Sequence, residues 1–476
     1  MNHKLNDFKK MIRGKRVAVL GVGISNRPLI RYIHALGAKI TAFDMLPDND
    51  PVLTASRKAF EQEGIEIEWS TGNNYLSNLI GFDIIFRTPK MRSDVPQLLA
   101  ERTRGAVVTS EMEVFMELCP ARIWAVTGSD GKTTTTTLIS LMLKEAGWRV
   151  HLGGNIGTPL LDRIDTIEAD DAVVLELSSF QLMSMRKSPD IAVVTNISPN
   201  HLDVHTDYQE YIDAKRNIYL YQPFNGRLIL NADNYETAVC ASEARCFVNW
   251  FSRINPTAEP GAVLKDGWLC WNYEGKCERI IQKEAIVIPG KHNIENYLAA
   301  ISAVWQYADA EAISRVATTF CGVEHRLELV RELNGVRYYN SSIDTSPGRS
   351  IAALNALAEK KDKAVLIMGG QDKKCDYKGL GQAILRVSDR IVFCGANSEL
   401  ILDNLKQEAQ QTDFDLSNLR IVKCGSYADA VRKAKEMARP GEAVVLTPAG
   451  TSFDFFRHFE ERGNLFKSLV NELSDE

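Results

Sequence analysis

The sequence has no C-x-x-C pair and no cysteine–histidine grouping at zinc-ligand spacing. Its nine cysteines, an odd number, therefore read as small buried hydrophobes or surface thiols in a reducing compartment, not as a disulfide framework. No run of 18 apolar residues occurs, and the opening MNHKLNDFKKMIRGKR is charged without an apolar centre. Neither a signal peptide nor membrane insertion is expected, and the expected location is cytoplasmic. Positive charge is also short: the formal net charge of -5 offers no basic field for a polyanion, so nucleic acid is not the indicated partner.

What the chain does have is length and alternation. Its 476 residues allow about three domains, and 45% hydrophobic with 25% charged suits a soluble globular protein. Short apolar runs alternate with helical stretches in three blocks. The first holds RVAVLG at Arg16–Gly21, AKITAFD at Ala38–Asp44, FDIIFRTP at Phe82–Pro89 and GAVVTS at Gly105–Ser110. The second holds IWAVTG at Ile123–Gly128, DAVVLEL at Asp171–Leu177 and DIAVVTN at Asp190–Asn196. After these, a turn-rich stretch, Gly226–Ala285, predicts a smaller mixed or antiparallel portion appended to the main sheet. The third, from near Cys321, holds GVRYYNSS, KAVLIMGG, RIVFCG, LRIVKCG and EAVVLTP. The fold class predicted is α/β, three domains in series with largely parallel sheets and ligands at the carboxyl ends of strands.

The sharpest local motif is AVTGSDGKT. It lacks the first glycine of G-x-x-x-x-G-K-[ST] but keeps Gly128, Gly131, Lys132 and Thr133 between a strand and a helix expected from about Thr133 to Ala146. Backbone amides and a helix start there favour phosphate; Lys132 supplies a point charge and Thr133 a hydroxyl for Mg²⁺. The bland alternative is a βα turn with a solvent lysine. Asp130 is awkward in such a loop unless it points outward or serves the metal. The run of threonines, mediocre helix formers, is less explained; hydroxyl contacts are one reason for several of them.

Weaker signals surround it. GVGISN offers G-x-G with Asn26 in place of the third glycine, and Asp44 ends the next strand, as for a ribose or base contact; a nicotinamide coenzyme and a plain tight turn both fit. Glu176 ends an apolar strand in the block of the phosphate loop, suited to Mg²⁺ or to pairing with a lysine. His201 and His205 follow the next strand without an H-E-x-x-H motif; His201 suits a magnesium shell or substrate, and His205 is as readily surface structure. Lys215 beside Arg216 reads on its face as a solvated helix surface. His325, Arg326, Lys373 and Lys374 add cations suited to phosphates and an anionic carboxylate.

In order along the chain, GSDGKT, GGNIGTPL, LELSSFQL, TNISPNHLDVH, DAKRNIY, GKHNIENYLAA and GVEHRLE resemble the Mur ligase family, over about Arg16 to Leu469. The resemblance points to the branch that adds D-glutamate to UDP-N-acetylmuramoyl-L-alanine with ATP, in peptidoglycan precursor synthesis, serving cell-wall biogenesis, cell shape and division. It implies three domains: residues 1–119, Rossmann-like, binding the UDP substrate; 120–322, P-loop ATPase-like, binding ATP; and 323–476, α/β, binding the amino acid. It also implies a monomer.

By the same resemblance, Gly23, Ile24, Asp44 and Thr88 bind the UDP moiety, and Asn155 faces that substrate. Gly128, Ser129, Asp130, Gly131, Lys132, Thr133 and Thr134 bind the ATP phosphates, Asn293 and Asn296 its adenine, and Arg326 lies near the phosphates. Thr133, Glu176, His201 and Lys215 hold Mg²⁺, Lys215 as a carbamate. Lys132, His201, Lys215 and Arg326 are the implied catalytic set. Thr345, Lys373, Ser452, Phe453 and Phe459 surround the amino acid. Two motifs depart from the family's pattern: N-D-S-K-A-T reads Asn340-Ser341-Ser342-Ile343-Asp344-Thr345, and S-P-A-C-A-S reads Thr447-Pro448-Ala449-Gly450-Thr451-Ser452. These changes leave L-glutamate or another amino acid as the alternative; Lys90 and Asp130, further departures, are compatible with the same reaction. Adding glutamate to a folate, or hydrolysing ATP without forming a bond, are the remaining readings.

Overall fold

Strong alternation of buried apolar runs with amphipathic stretches produces three sheets flanked by helices, as seen in a computed structural model. It describes the chain apart from residues 1, 24, 90, 200–204, 289, 360–362, 373–374, 411–415 and 475–476. The chain divides into two compact units, 1–285 with 294–317, and 286–293 with 318–476.

The first unit holds two sheets. One comprises β1 (Arg16–Leu20), β2 (Lys39–Asp44), β3 (Glu68–Thr71), β4 (Ile84–Phe86) and β5 (Val107–Thr109). All pairs are parallel, in the order β3-β2-β1-β4-β5. The edge strand β3, EWST, escapes sequence reading because it is short and polar.

The other sheet runs β14-β13-β12-β11-β10-β9-β6-β8-β7. Its strands are β6 (Arg122–Thr127), β7 (Val150–Gly154), β8 (Ala172–Glu176), β9 (Ile191–Val194), β10 (Arg227–Asn231), β11 (Phe247–Ser252), β12 (Gly261–Lys265), β13 (Trp268–Tyr273) and β14 (Lys276–Gln282). Here the mixed portion expected over Gly226–Ala285 is appended to the main sheet. β10 and β11 extend the parallel sheet without a break, and only the pairs β12–β13 and β13–β14 are antiparallel. Leu228, Ile229 and Leu230 are fully buried, as a strand covered on both faces requires. The hairpins turn at Asp266-Gly267 and Glu274-Gly275, where all four residues have positive φ, the type I′ geometry that matches strand twist.

The second unit has a six-stranded sheet, β15-β16-β20-β17-β18-β19. These strands are β15 (Glu328–Leu333), β16 (Val336–Asn340), β17 (Ala364–Met368), β18 (Arg390–Phe393), β19 (Arg420–Lys423) and β20 (Ala443–Leu446). The five expected strands are β16 to β20, mutually parallel. β15, a half-exposed partner of β16 in a hairpin, is the addition.

Candidate active site

β6 ends in a turn that leads into the helix Lys132–Glu145, one residue earlier than expected. Two glycines make the turn possible. A Cβ at Gly128 would sit 1.9 Å from Thr195 Oγ1, and one at Gly131 2.2 Å from Asn296 Oδ1; both residues also have positive φ. The turn is held from outside by β9's extension. Ser129 N–H donates to the Asn196 carbonyl at 2.8 Å, Asp130 N–H to Asn196 Oδ1 at 2.9 Å, and Thr195 Oγ1 to the Asp130 carbonyl at 2.6 Å. The Asp130 side chain is exposed. Lys132 Nζ bends back to the carbonyls of Gly128, at 3.1 Å, and Ser129, at 2.9 Å.

Three threonines of the run place their hydroxyls on partners, while the buried Thr136 hydroxyl has none among the described residues. Thr133 Oγ1 donates to Glu176 Oε2 at 2.7 Å, Thr135 Oγ1 to Asn296 Oδ1 at 3.3 Å, and Thr137 Oγ1 to the Thr133 carbonyl at 2.8 Å. Thr134 is buried beside them. Asn155 donates its side-chain amide to Glu176 Oε1 at 2.9 Å and its backbone N–H to the Glu176 carbonyl at 2.8 Å. Thr133, Asn155 and Glu176 thus meet at the carboxyl ends of β6, β7 and β8.

Lys215 is not a solvated helix residue. It is 2% exposed, donates to the Gly128 carbonyl at 2.7 Å, and lies 4.6 Å from the centre of the Tyr211 ring. Burial, reinforced by the charge of Lys132, pushes its ammonium well below the usual lysine range. His205 is likewise no surface residue: it is buried, stacks on Phe180 at 5.4 Å, and shares a 2.9 Å hydrogen bond with Ser179 Oγ. His201 lies outside the described residues.

Sequence reading passed over a polar bridge between the first two sheets. Arg92 donates in bidentate fashion to Glu210, at 3.0 and 2.8 Å, on the helix Tyr208–Arg216 that carries Lys215. The arginine, mainly, holds the Glu210 carboxyl down at about 2. Glu111, fully buried, accepts the backbone N–H of Leu161 at 3.1 Å, and burial lifts its carboxyl to about 7. No spacing rule marks either residue, since each partner is distant along the chain.

At the carboxyl ends of β1, β2 and β4 stand Gly21, Gly23, Asp44 and Thr88. Asp44 spends both carboxylate oxygens on the loop itself, accepting the N–H of Val22 at 2.8 Å and of Leu46 at 3.1 Å. Asn26, in place of the third glycine, is buried and ties the carbonyls of Leu20 and Gly21. Gly23 is exposed, with open space where a Cβ would stand. Ile24 lies outside the described residues.

In the second unit, Thr345 follows β16 and Ser452, Phe453 and Phe459 follow β20. The loops that carry them are joined by Arg462, which is fully buried. It donates to the Ser342 hydroxyl and carbonyl, at 3.0 and 2.9 Å, and to the carbonyls of Gly450 and Thr451, at 3.2 Å. Phe459 packs edge-on against His325 at 5.9 Å, Phe453 is exposed, and Ser452 is buried. Arg326 is exposed between two residues of positive φ, His325 and Leu327. Asn293 lies one turn before Asn296 on the helix Lys291–Val304. Lys373 lies outside the described residues. Among the described residues no three of His, Cys, Asp and Glu gather as a metal-binding group, and no helix is long and apolar enough to cross a membrane.

Two family patterns match the chain: the Mur ligase middle domain over residues 126–304, and the Mur ligase, glutamate ligase domain over 325–450. The chain is 54% identical over 474 residues to the UDP-N-acetylmuramoylalanine–D-glutamate ligase of Acetivibrio thermocellus, covering 99% of this chain and 100% of that protein. It is 50% identical over 473 residues to the ligase of the same name from Ruminiclostridium cellulolyticum, again with 99% and 100% covered. Two solved structures share the fold at low identity. One is the UDP-N-acetylmuramate-alanine ligase MurC of Thermotoga maritima, with TM-score 0.57, 17% identity, and 96% of this chain and 99% of that one covered. The other is MurF of Acinetobacter baumannii, with TM-score 0.56, 14% identity, and 98% and 92% covered.

Proposed function

The chain belongs to the Mur ligase family, and from that premise we propose that it joins D-glutamate to UDP-N-acetylmuramoyl-L-alanine, with ATP cleaved to ADP and phosphate. The observation that carries the ATP half is the meeting of Lys132, Thr133 and Glu176 around one glycine turn, with Thr133 Oγ1 2.7 Å from Glu176. A free carboxylate is a poor acyl donor, because an oxide would have to leave. Transfer of the γ-phosphoryl group makes the substrate carboxyl an acyl phosphate. The glutamate amine then attacks its carbonyl carbon, phosphate leaves with the C–O bonding pair, and the amine proton passes to a base. Lys132 offsets charge as the phosphoryl group moves.

The hydroxyl of Thr133 and the carboxylate of Glu176 are hard oxygen donors that suit Mg²⁺, which when bound neutralises phosphate charge. His201 is assigned to the same ion. An ammonium at Lys215 would not fit beside a cation. Its burial and depressed basicity favour the free amine, the form that adds to CO₂ with loss of a proton to give a carbamate, an anionic ligand. Asn293 and Asn296 are assigned to adenine and Arg326 to the phosphates.

We assign the UDP moiety to the loop region Gly21–Asn26 with Thr88, and the roles of the three sheets to residues 1–119, 120–322 and 323–476. Asp44, which holds that loop through the N–H groups of Val22 and Leu46, is assigned to the same moiety, since each carboxylate oxygen can accept a second hydrogen bond. Thr345, Lys373, Ser452, Phe453 and Phe459 are assigned to the amino acid. The decisive experiment is phosphate release from ATP with UDP-N-acetylmuramoyl-L-alanine, measured with D- and L-glutamate side by side. Release dependent on D-glutamate is expected; dependence on the L-isomer alone would overturn the amino-acid assignment.

A further inference from the structure

Asp344 and Thr447 are both positions where the chain departs from its family's motifs, and they touch. Thr447 Oγ1 donates to Asp344 Oδ2 at 2.9 Å, with both residues buried. Thr447 has one hydroxyl proton, so with it committed to the carboxylate, the 2.9 Å contact with Ser350 is made by the serine's own proton. Ser350 Oγ in turn accepts the backbone N–H of Ala449 at 3.0 Å. Three donors thus point one way and end on one carboxylate.

What this chain of donors holds is a strained turn. Ala449 has φ of +52°, in the left-handed region that a Cβ disfavours. Its N–H is held by Ser350, and its carbonyl accepts from Asn397 Nδ2 at 3.1 Å. Ser452 and Phe453 follow after Gly450 and Thr451, and Thr345 is the neighbour of Asp344 itself. Arg462 joins the same two loops from Ser342 to Gly450 and Thr451, so Asp344 is the second tie between them. An unpaired acid buried there would be costly, which argues that its place in the network is specified.

We propose that Asp344 is a positioning residue for the amino-acid substrate: through Thr447 and Ser350 it fixes the left-handed turn at Ala449 from which Ser452 and Phe453 are presented. The proposal rests on the assignment of this site to the amino acid. In Asp344→Ala, the KM for D-glutamate is expected to rise at least tenfold while the KM for ATP and for the UDP substrate stays within twofold. Asp344→Asn, whose carbonyl still accepts the Thr447 proton, should recover most of the loss. Thr447→Val, which deletes only the hydroxyl, should resemble Asp344→Ala and gives the same reading if that variant fails to fold. Amide hydrogen exchange over 449–452 should quicken at least tenfold in Asp344→Ala or Thr447→Val, whatever amino acid the enzyme uses. Unchanged exchange, or an equal rise of all three KM values, overturns the proposal. Quickened exchange with a wild type indifferent to D-glutamate would instead overturn the substrate assignment.

Discussion

Thr133 and Glu176 face each other at 2.7 Å, and the other oxygen of Glu176 is taken by Asn155 at 2.9 Å. The carboxylate is oriented by two donors on different strands' ends, beside the turn that carries Lys132. Charge, hydroxyl and carboxylate are set in place by backbone geometry before any ligand group is considered.

Replacing Lys132 by alanine should leave the fold intact, since its Nζ reaches the turn carbonyls of Gly128 and Ser129, at 3.1 and 2.9 Å, and the turn itself is held by Thr195 and Asn196. Phosphate release should fall by about 10³-fold or more, from the loss of a charge on the moving phosphoryl group. An unchanged unfolding temperature with residual turnover above a tenth of wild type would refute the role.

Lys215 tests the carbamate. Preparation and assay in CO₂-free buffer should lower activity severalfold, and added bicarbonate should restore it. Lys215→Arg, which keeps a cation and cannot be carbamylated, should be inactive with or without bicarbonate. Activity indifferent to bicarbonate would remove the carbamate from the scheme.

Glu111 predicts a pH signature in stability. Its burial raises the folded-state carboxyl from 4.5 to about 7, so the native state holds the proton more tightly than the unfolded chain. The stabilisation is fully present below about 4.5 and is lost as pH rises through about 7. Relative to Glu111→Gln, the wild type should lose up to about 3 kcal/mol across that interval. Chemical denaturation of both proteins at pH 5 and pH 8 measures it, and a difference that does not change with pH would refute the shift.

Arg92 and Glu210 should be energetically coupled. Both are partly shielded, at 29% and 25% exposure, and the contact is bidentate. A double-mutant cycle with Arg92→Ala and Glu210→Ala should give about 1 kcal/mol of coupling, above what a fully exposed pair gives. Additive effects on unfolding would show that the bridge contributes nothing.

Much of this was legible from sequence. The twelve apolar runs quoted from the three blocks coincide with β1, β2, β4, β5, β6, β8, β9 and β16 to β20, and the run into GSDGKT located the phosphate turn. β3 was invisible because four half-polar residues carry no period, and β15 because ELVREL has no apolar–polar alternation to mark a face. Lys215 and His205 looked like surface residues, since burial depends on Tyr211, Phe180 and Ser179 folding over them. Glu111, Arg92 and Arg462 were silent for a similar reason: their partners stand far along the chain, and only the fold brings them within hydrogen-bond reach.

Gly131 and Asn296 bear on each other so closely that the two are one design decision. A methyl group at the first would land 2.2 Å from the amide oxygen of the second. On the proposed assignment of Asn296 to adenine and of the Gly131 turn to phosphate, a bulkier residue at position 131 would displace the base contact as well, and laboratory evolution of this enzyme should find those two positions changing together or not at all.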